Sequence, residues 1–236
     1  MREYQIGNDP MPEEVQRPSI LKEVRGVKEP LRLLLNYRSL TKRKIGNGHR
    51  VIVIPGWKAD ENAMLPIKSY LNKIGFSAED WGLGTNNGAI EAYRDELVKR
   101  IRQTAQGESI SLVGWSLGGV VAREVARKLP KQIASVVTYG TPVIGGPKFT
   151  IGGKYWDASE TKRLNNLAKA LDIINPIQVP LAVIFTKNDS VVSWPACLDY
   201  NSLDVKHFEV SSTHLSLGVD PQVWRIVAEH LEQYQQ

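Results

Sequence analysis

Cys197 is the only cysteine in 236 residues. A single thiol excludes an intrachain disulfide and any metal site built on paired cysteines, and it is compatible with a reducing compartment. No stretch approaches the roughly 18 uninterrupted apolar residues that a spanning helix needs. The start of the chain lacks the apolar core of a secretory signal, so the expected location is the cytoplasm. The first 19 residues hold Pro10, Pro12 and Pro18 with no apolar period, and are the one segment with the composition of disorder. Internal repeats and low-complexity tracts are absent. A nucleic-acid platform is also lacking. Net charge is +5, and Arg38, Lys42, Arg43, Lys44 and Arg50 are clustered, but no aromatic residues interleave with them. No nucleic-acid partner is expected. The cluster reads as a solvated linker, with peripheral contact to an anionic membrane as the other use of such charge.

Hydrophobic residues make up 42% of the chain, enough for the core of one α/β domain. Val51-Ile52-Val53-Ile54 is a short apolar run stopped by Pro55-Gly56, as expected of a strand buried on both faces. Helical segments follow from Leu65 to Gly75 and from Ile90 to Gln106. Further strands are expected at 76–81, 110–115, 133–139, 181–186 and 205–210, with helices at 117–129 and 221–234. Alternating strands and helices predict a mostly parallel sheet with helices on both faces. Active residues should then gather in loops at the carboxyl ends of the strands. Residues 1–50 read as an N-terminal extension and 51–236 as the domain. Within the extension, residues 30–40 start at a proline and place Leu31, Leu34 and Leu35 on one helical face, with Arg38 close by. That face is expected to dock on the domain or cover a sheet edge, with a membrane-surface role as the alternative. The interval 141–179 breaks the alternation and is a candidate lid or cap. It carries a helical stretch near 160–174.

Residues 110–119 enter a Gly-x-Ser-x-Gly turn, Gly114 to Gly118, and leave it in a helix. This is the sequence form of a nucleophile elbow. Lifting the Ser116 hydroxyl above a strand end takes a strained turn with strand and helix in close approach, and only small residues on either side allow it. Chance alone would place the pattern in about one chain in ten of this length. Its context is therefore what gives it weight.

A serine hydroxyl is a weak nucleophile at neutral pH and needs a base and a group to orient that base. Asp189 directly follows the strand at 181–186 and is the candidate acid. Asp199 and Asp204 are rivals without so direct a strand before them. Of four histidines, only His214 lies in a loop after the last strand. His49 is upstream of the serine, His207 is inside a strand and His230 is inside a helix. The backbone N–H of Leu117, at the helix start, is one candidate oxyanion donor. That of Trp57, after Pro55-Gly56, is the second, with Lys58 as the alternative. Trp57, Met64, Trp115, Trp156 and Trp194 are candidate walls of an apolar substrate pocket. Trp115 is also a candidate for simple packing against the sheet.

With these residues in hand, the chain resembles the α/β-hydrolase superfamily in its order Ser116, Asp189, His214. More narrowly, it is similar to small bacterial lipase- and esterase-like hydrolases, and distantly to the inositol deacylases of GPI-anchor processing. The segments that carry the likeness are Val-Ile-Pro-Gly-Trp (53–57), Trp-Gly-Leu-Gly-Thr-Asn (81–86), Val-Gly-Trp-Ser-Leu-Gly-Gly (113–119), Asn-Asp-Ser-Val-Val-Ser-Trp (188–194) and Ser-Thr-His-Leu-Ser-Leu-Gly (212–218). Two positions depart from the superfamily: Pro55-Gly56 stands where His-Gly is common, and Ser190 follows the acid where glycine is usual. The resemblance implies ester hydrolysis and fixes no substrate; the apolar pocket candidates point to short- to medium-chain or lipid-like esters, cleaved through an acyl-enzyme with no metal or organic cofactor. An acyltransferase or thioesterase would use the same triad. A ligand-binding protein on the same scaffold would keep only the pocket. Oligomeric state is not expressed in these patterns.

Overall fold

The computed structural model describes residues 3–13, 23–105, 107–144, 146–151, 157, 159, 162, 163, 166, 170 and 172–235. Among them, β1 (Arg50–Ile54), β2 (Ser77–Asp80), β3 (Ile110–Trp115), β4 (Ile133–Tyr139), β5 (Leu181–Thr186) and β6 (Val205–Val210) form one sheet in the order β2-β1-β3-β4-β5-β6. Every neighbouring pair is parallel. The expected strand at 76–81 is shorter at both ends. Phe76 and Trp81 instead bury their rings in opposite layers of the core.

The alternation of side chains along each strand feeds two cores. On one face Val51, Val53, Val113, Val137 and Ile184 meet α2 (Leu65–Lys73) and α5 (Pro221–Tyr234), through Ile67, Leu71, Val223 and Val227. On the other, Ile52, Ile54, Leu112, Val136 and Val183 meet α3 (Ile90–Thr104) and α4 (Leu117–Lys128), through Leu97, Ile101, Val121 and Val125. The strand order reverses between β1 and β3, and this opens a crevice beyond their carboxyl ends.

The N-terminal extension departs from expectation twice. Residues near Tyr4, read as disordered, are stitched to the sheet edge. The Tyr4 N–H donates to the His207 carbonyl at 2.7 Å, and its ring meets Phe185 edge-on at 5.0 Å. An edge strand that gains a covering segment is shielded from other chains. The helix of the extension, α1 (Glu29–Leu40), does dock on the domain, but through Leu33 and Leu40. Leu31, Leu34 and Leu35 face outward at 61%, 72% and 74% exposure. The reason is that α1 is apolar on two faces. Leu33 and Leu40 lie seven residues apart on one seam, and α5 accepts only that seam.

The middle of the candidate lid, from 152 to 171, falls largely outside the described residues. Its beginning is tied to the segment after β5: the Val143 and Ile144 N–H groups donate to the Ala196 carbonyl, and Thr150 bridges to Val192. Its end is tied to α4. Buried Arg123 binds Asp172 at 2.9 Å and Asp199 at 2.7 Å, and Arg127 donates to the Asn175 carbonyl at 2.7 Å.

Candidate active site

Ser116 joins β3 to α4 with φ 52° and ψ −123°, a backbone conformation that side chains other than glycine rarely adopt. The turn is held from three sides. The Ser116 N–H donates to the Tyr139 carbonyl at 2.9 Å, and its carbonyl accepts from Gly119 at 3.0 Å and from the Thr141 hydroxyl at 2.9 Å. The flanking glycines are fixed by close approach. A Cβ on Gly114 would lie 2.5 Å from the Gly119 Cα, and one on Gly118 would lie 2.2 Å from the Ile54 carbonyl oxygen. Ser116 and Leu117 stay half-buried, within reach of a substrate.

Asp189 divides its two oxygens. Oδ1 accepts from the Val191 and Val192 amides at 2.8 and 2.7 Å, which locks the carboxylate into its own turn. Oδ2 lies 2.7 Å from His214 Nδ1. An ionised carboxylate only accepts, so Nδ1 is the donor in this contact, and in the neutral imidazole that leaves Nε2 with its lone pair. Both residues are buried, at 7% and 2% exposure. The His214 ring is confined by Gly140, where a Cβ would stand 3.0 Å from ring atoms, and by Trp115, whose ring centroid is 5.9 Å away. The rival carboxylates are occupied elsewhere. Asp199 is buried against Arg123, which holds its carboxyl well below the usual range, and Asp204 accepts from Tyr234 at 3.4 Å. His207 Nε2 accepts from the Asp199 amide at 3.1 Å and His49 Nε2 meets the Ser111 hydroxyl at 2.9 Å.

The loop after β1 stands beside the elbow: a Cβ on Gly56 would lie 3.2 Å from that of Ser116. Lys58, the alternative oxyanion donor, gives its N–H to the Asn86 carbonyl at 2.7 Å and so cannot turn it toward Ser116. Fully buried Asn86 organises this loop. Its amide donates to the Pro55 carbonyl at 2.8 Å, its N–H to the Ala59 carbonyl at 2.9 Å, and its Oδ1 accepts from Gly88 at 3.1 Å.

The aromatic pocket residues separate. Trp115 is half-buried, packed against the sheet's core with its ring between the Gly56 loop and His214. Met64, expected as a wall, is 1% exposed. It fills the core, with the Tyr139 hydroxyl 3.7 Å from its sulfur, because the helical turn carrying it packs inward. Trp194, also expected there, stacks on Phe185 at 5.5 Å beneath Lys187, within the small apolar cluster that backs the Asp189 turn. Trp57 is half-buried, with Lys58 Nζ 5.7 Å from its ring centroid. Trp156 lies outside the described residues.

Sequence reasoning missed Glu23. Its Oε1 accepts from the Ser190 hydroxyl at 2.6 Å and its Oε2 from the Leu215 amide at 3.3 Å, so it ties the loop of the acid to the loop of the histidine. Ser190 in place of the usual glycine was the available signal, since it supplies the hydroxyl that Glu23 binds.

Comparison with known proteins agrees with this geometry at the level of the fold. The chain superposes on an α/β-hydrolase enzyme from the metagenome of lagoon sediments at Mar Chica, Morocco, with a TM-score of 0.60 and 16% identity, covering 80% of this chain and 92% of the other. It superposes on the monoacylglycerol lipase of Paleococcus ferrophilus with a TM-score of 0.61 and 17% identity, covering 80% and 96%. The fold is that of the α/β-hydrolases. In sequence, 104 residues are 28% identical to a pimeloyl-(acyl-carrier protein) methyl ester esterase of Shewanella woodyi, which is 42% of this chain. The chain spans 39% of the length of that relative. No family model matches the chain.

Proposed function

We propose that this protein is a serine carboxylic-ester hydrolase acting through an acyl-enzyme on short- to medium-chain or lipid-like esters. The observation that carries the reading is the 2.7 Å contact between Asp189 Oδ2 and His214 Nδ1; the strained backbone of Ser116 at a strand-to-helix turn supports it. In this reading His214 Nε2 takes the Ser116 proton as Oγ attacks the ester carbonyl. Asp189 holds the histidine tautomer and stabilises the imidazolium that forms. The N–H groups of Leu117 and Trp57 receive the oxyanion, a contribution of about 3 kcal/mol per donor. The imidazolium then protonates the leaving alkoxide, and water activated by the neutral histidine frees the acid and restores Ser116. The methyl ester in the name of the Shewanella woodyi relative puts small-alcohol acyl esters first among substrates to try.

A panel of p-nitrophenyl esters of increasing chain length tests this. Wild type should turn over short and medium chains, and Ser116→Ala should lose at least about 10⁴-fold in kcat with its fold intact. Equal turnover by the two proteins would overturn the reading.

A further inference from the structure

We propose that the outward face of α1 and of the turn before it is a docking surface for an anionic lipid bilayer. Val24, Val27, Leu31, Leu34 and Leu35 are 58%, 73%, 61%, 72% and 74% exposed. Their spacing of three and four residues sets them in one stripe along a helical surface. The cation Arg38 borders the stripe on the same helix, Lys28 stands just before the helix, and Arg25, Lys42 and Lys44 extend the charge at either end. Among the described residues none of these five cations has an ion-pair partner. The one carboxylate between residues 24 and 44 is Glu29. It is fully buried on the opposite side, 2.7 Å from Arg32. An apolar stripe bordered mainly by positive charge, with Glu23 at one end turned onto Ser190 and Leu215, complements a negatively charged interface. A second copy of the chain fits it poorly, because a two-fold pairing of this face would set cations against cations.

The stripe is also joined to the catalytic loops. A Cβ on Gly26 would meet Thr213 Oγ1 at 2.4 Å and Ser216 Oγ at 2.6 Å, so the turn before α1 presses directly on the loop that holds His214. Glu23 binds Ser190 and Leu215 from the same segment, and Leu215 is itself 62% exposed beside His214. A bilayer under α1 would therefore bring a lipid-borne ester close to the loops of the acid and the base. That consequence rests on the hydrolase reading, whereas docking itself does not.

Co-sedimentation with large vesicles tests the docking. Wild type and Ser116→Ala should both bind vesicles of phosphatidylcholine with phosphatidylglycerol, and should bind phosphatidylcholine alone weakly. Leu34→Ser with Leu35→Ser should weaken binding at least tenfold, and Arg38→Gln with Lys42→Gln by roughly 25-fold at low salt, about fivefold per cation. Turnover of a soluble ester should stay unchanged in these surface variants, which shows that they remain folded. Circular dichroism serves the same purpose if wild type proves inactive, so a failed hydrolase reading leaves this test intact. Absent binding, equal binding to both vesicle types, or self-association that the Leu34→Ser change abolishes would overturn the proposal.

Discussion

Ser116 and Lys58 are the two non-glycine residues with positive φ among the described residues, at 52° and 61°. Both lie beyond the carboxyl ends of β1 and β3, where the strand order reverses. Strain of this kind costs on the order of 1–3 kcal/mol and persists only where surrounding contacts impose it. At Ser116 those contacts are the Tyr139 carbonyl, the Thr141 hydroxyl and the two tightly approached glycines. Glycine adopts this conformation without cost. Ser116→Gly should therefore raise stability by about 1 kcal/mol, roughly 2–4 °C in Tm for a domain of this size, while removing the hydroxyl that the proposed mechanism uses. Thermal denaturation of Ser116→Gly beside Ser116→Ala checks this. A Tm for the glycine variant at or below that of the alanine variant would contradict it. At this scale much was legible in the chain. Small residues at 114 and 118 pointed to the close approach, and the placement of Asp189 and His214 after strands pointed to their pairing. Glu23 was not legible, because its partner Ser190 lies 167 residues away and only the docked extension brings them together.

The loops beyond the strands differ in how they are held. The Asp189 turn is built from local bonds to Val191 and Val192, so its geometry is encoded within four residues. The loop after β1, which carries the proposed oxyanion donor, is built from outside, by Asn86. Replacing Asn86 with Ala would strip the Pro55 carbonyl and the Gly88 N–H of their partners and let the loop drift from Ser116. The expected result is a stability loss of about 1–3 kcal/mol and a fall in kcat of roughly 10- to 100-fold, with KM changed much less. Steady-state kinetics with a p-nitrophenyl ester separates the two effects. An Asn86→Ala enzyme with normal kcat would show that the loop holds itself. Strands β3 to β6 could be read to the residue, since short apolar runs bounded by turn residues leave little freedom. The orientation of α1 could not. Its sequence offers apolar residues on two sides, and only the shape of α5 decides that Leu33 and Leu40 turn inward.

Across the whole molecule, buried histidines link folding to pH. Burial pushes His230 down to about 4, with a hydrogen bond to the Pro180 carbonyl offsetting part of the effect, and burial also lowers His49 and His207. In the unfolded chain these rings take up a proton near pH 6.5. The folded state holds fewer protons in that range. Its stability is therefore fully present above about pH 6.5 and is lost as pH falls toward 4. His230 alone contributes about 3 kcal/mol to this loss. Urea unfolding at a series of pH values should show the decline, and His230→Gln, which keeps an amide donor for the Pro180 carbonyl, should flatten it. A profile of the same slope in both proteins would contradict the assignment. The same scale holds the central claim, that distant parts of the chain assemble one nucleophile, one base and one acid.

Intact-mass analysis after treatment with a fluorophosphonate tests that claim most directly. Wild type should gain one phosphonyl group, mapped by peptide sequencing to Ser116. Ser116→Ala should gain none, and His214→Ala should react at least about 100-fold more slowly. Labelling at another residue, or equal labelling of wild type and His214→Ala, would contradict the account.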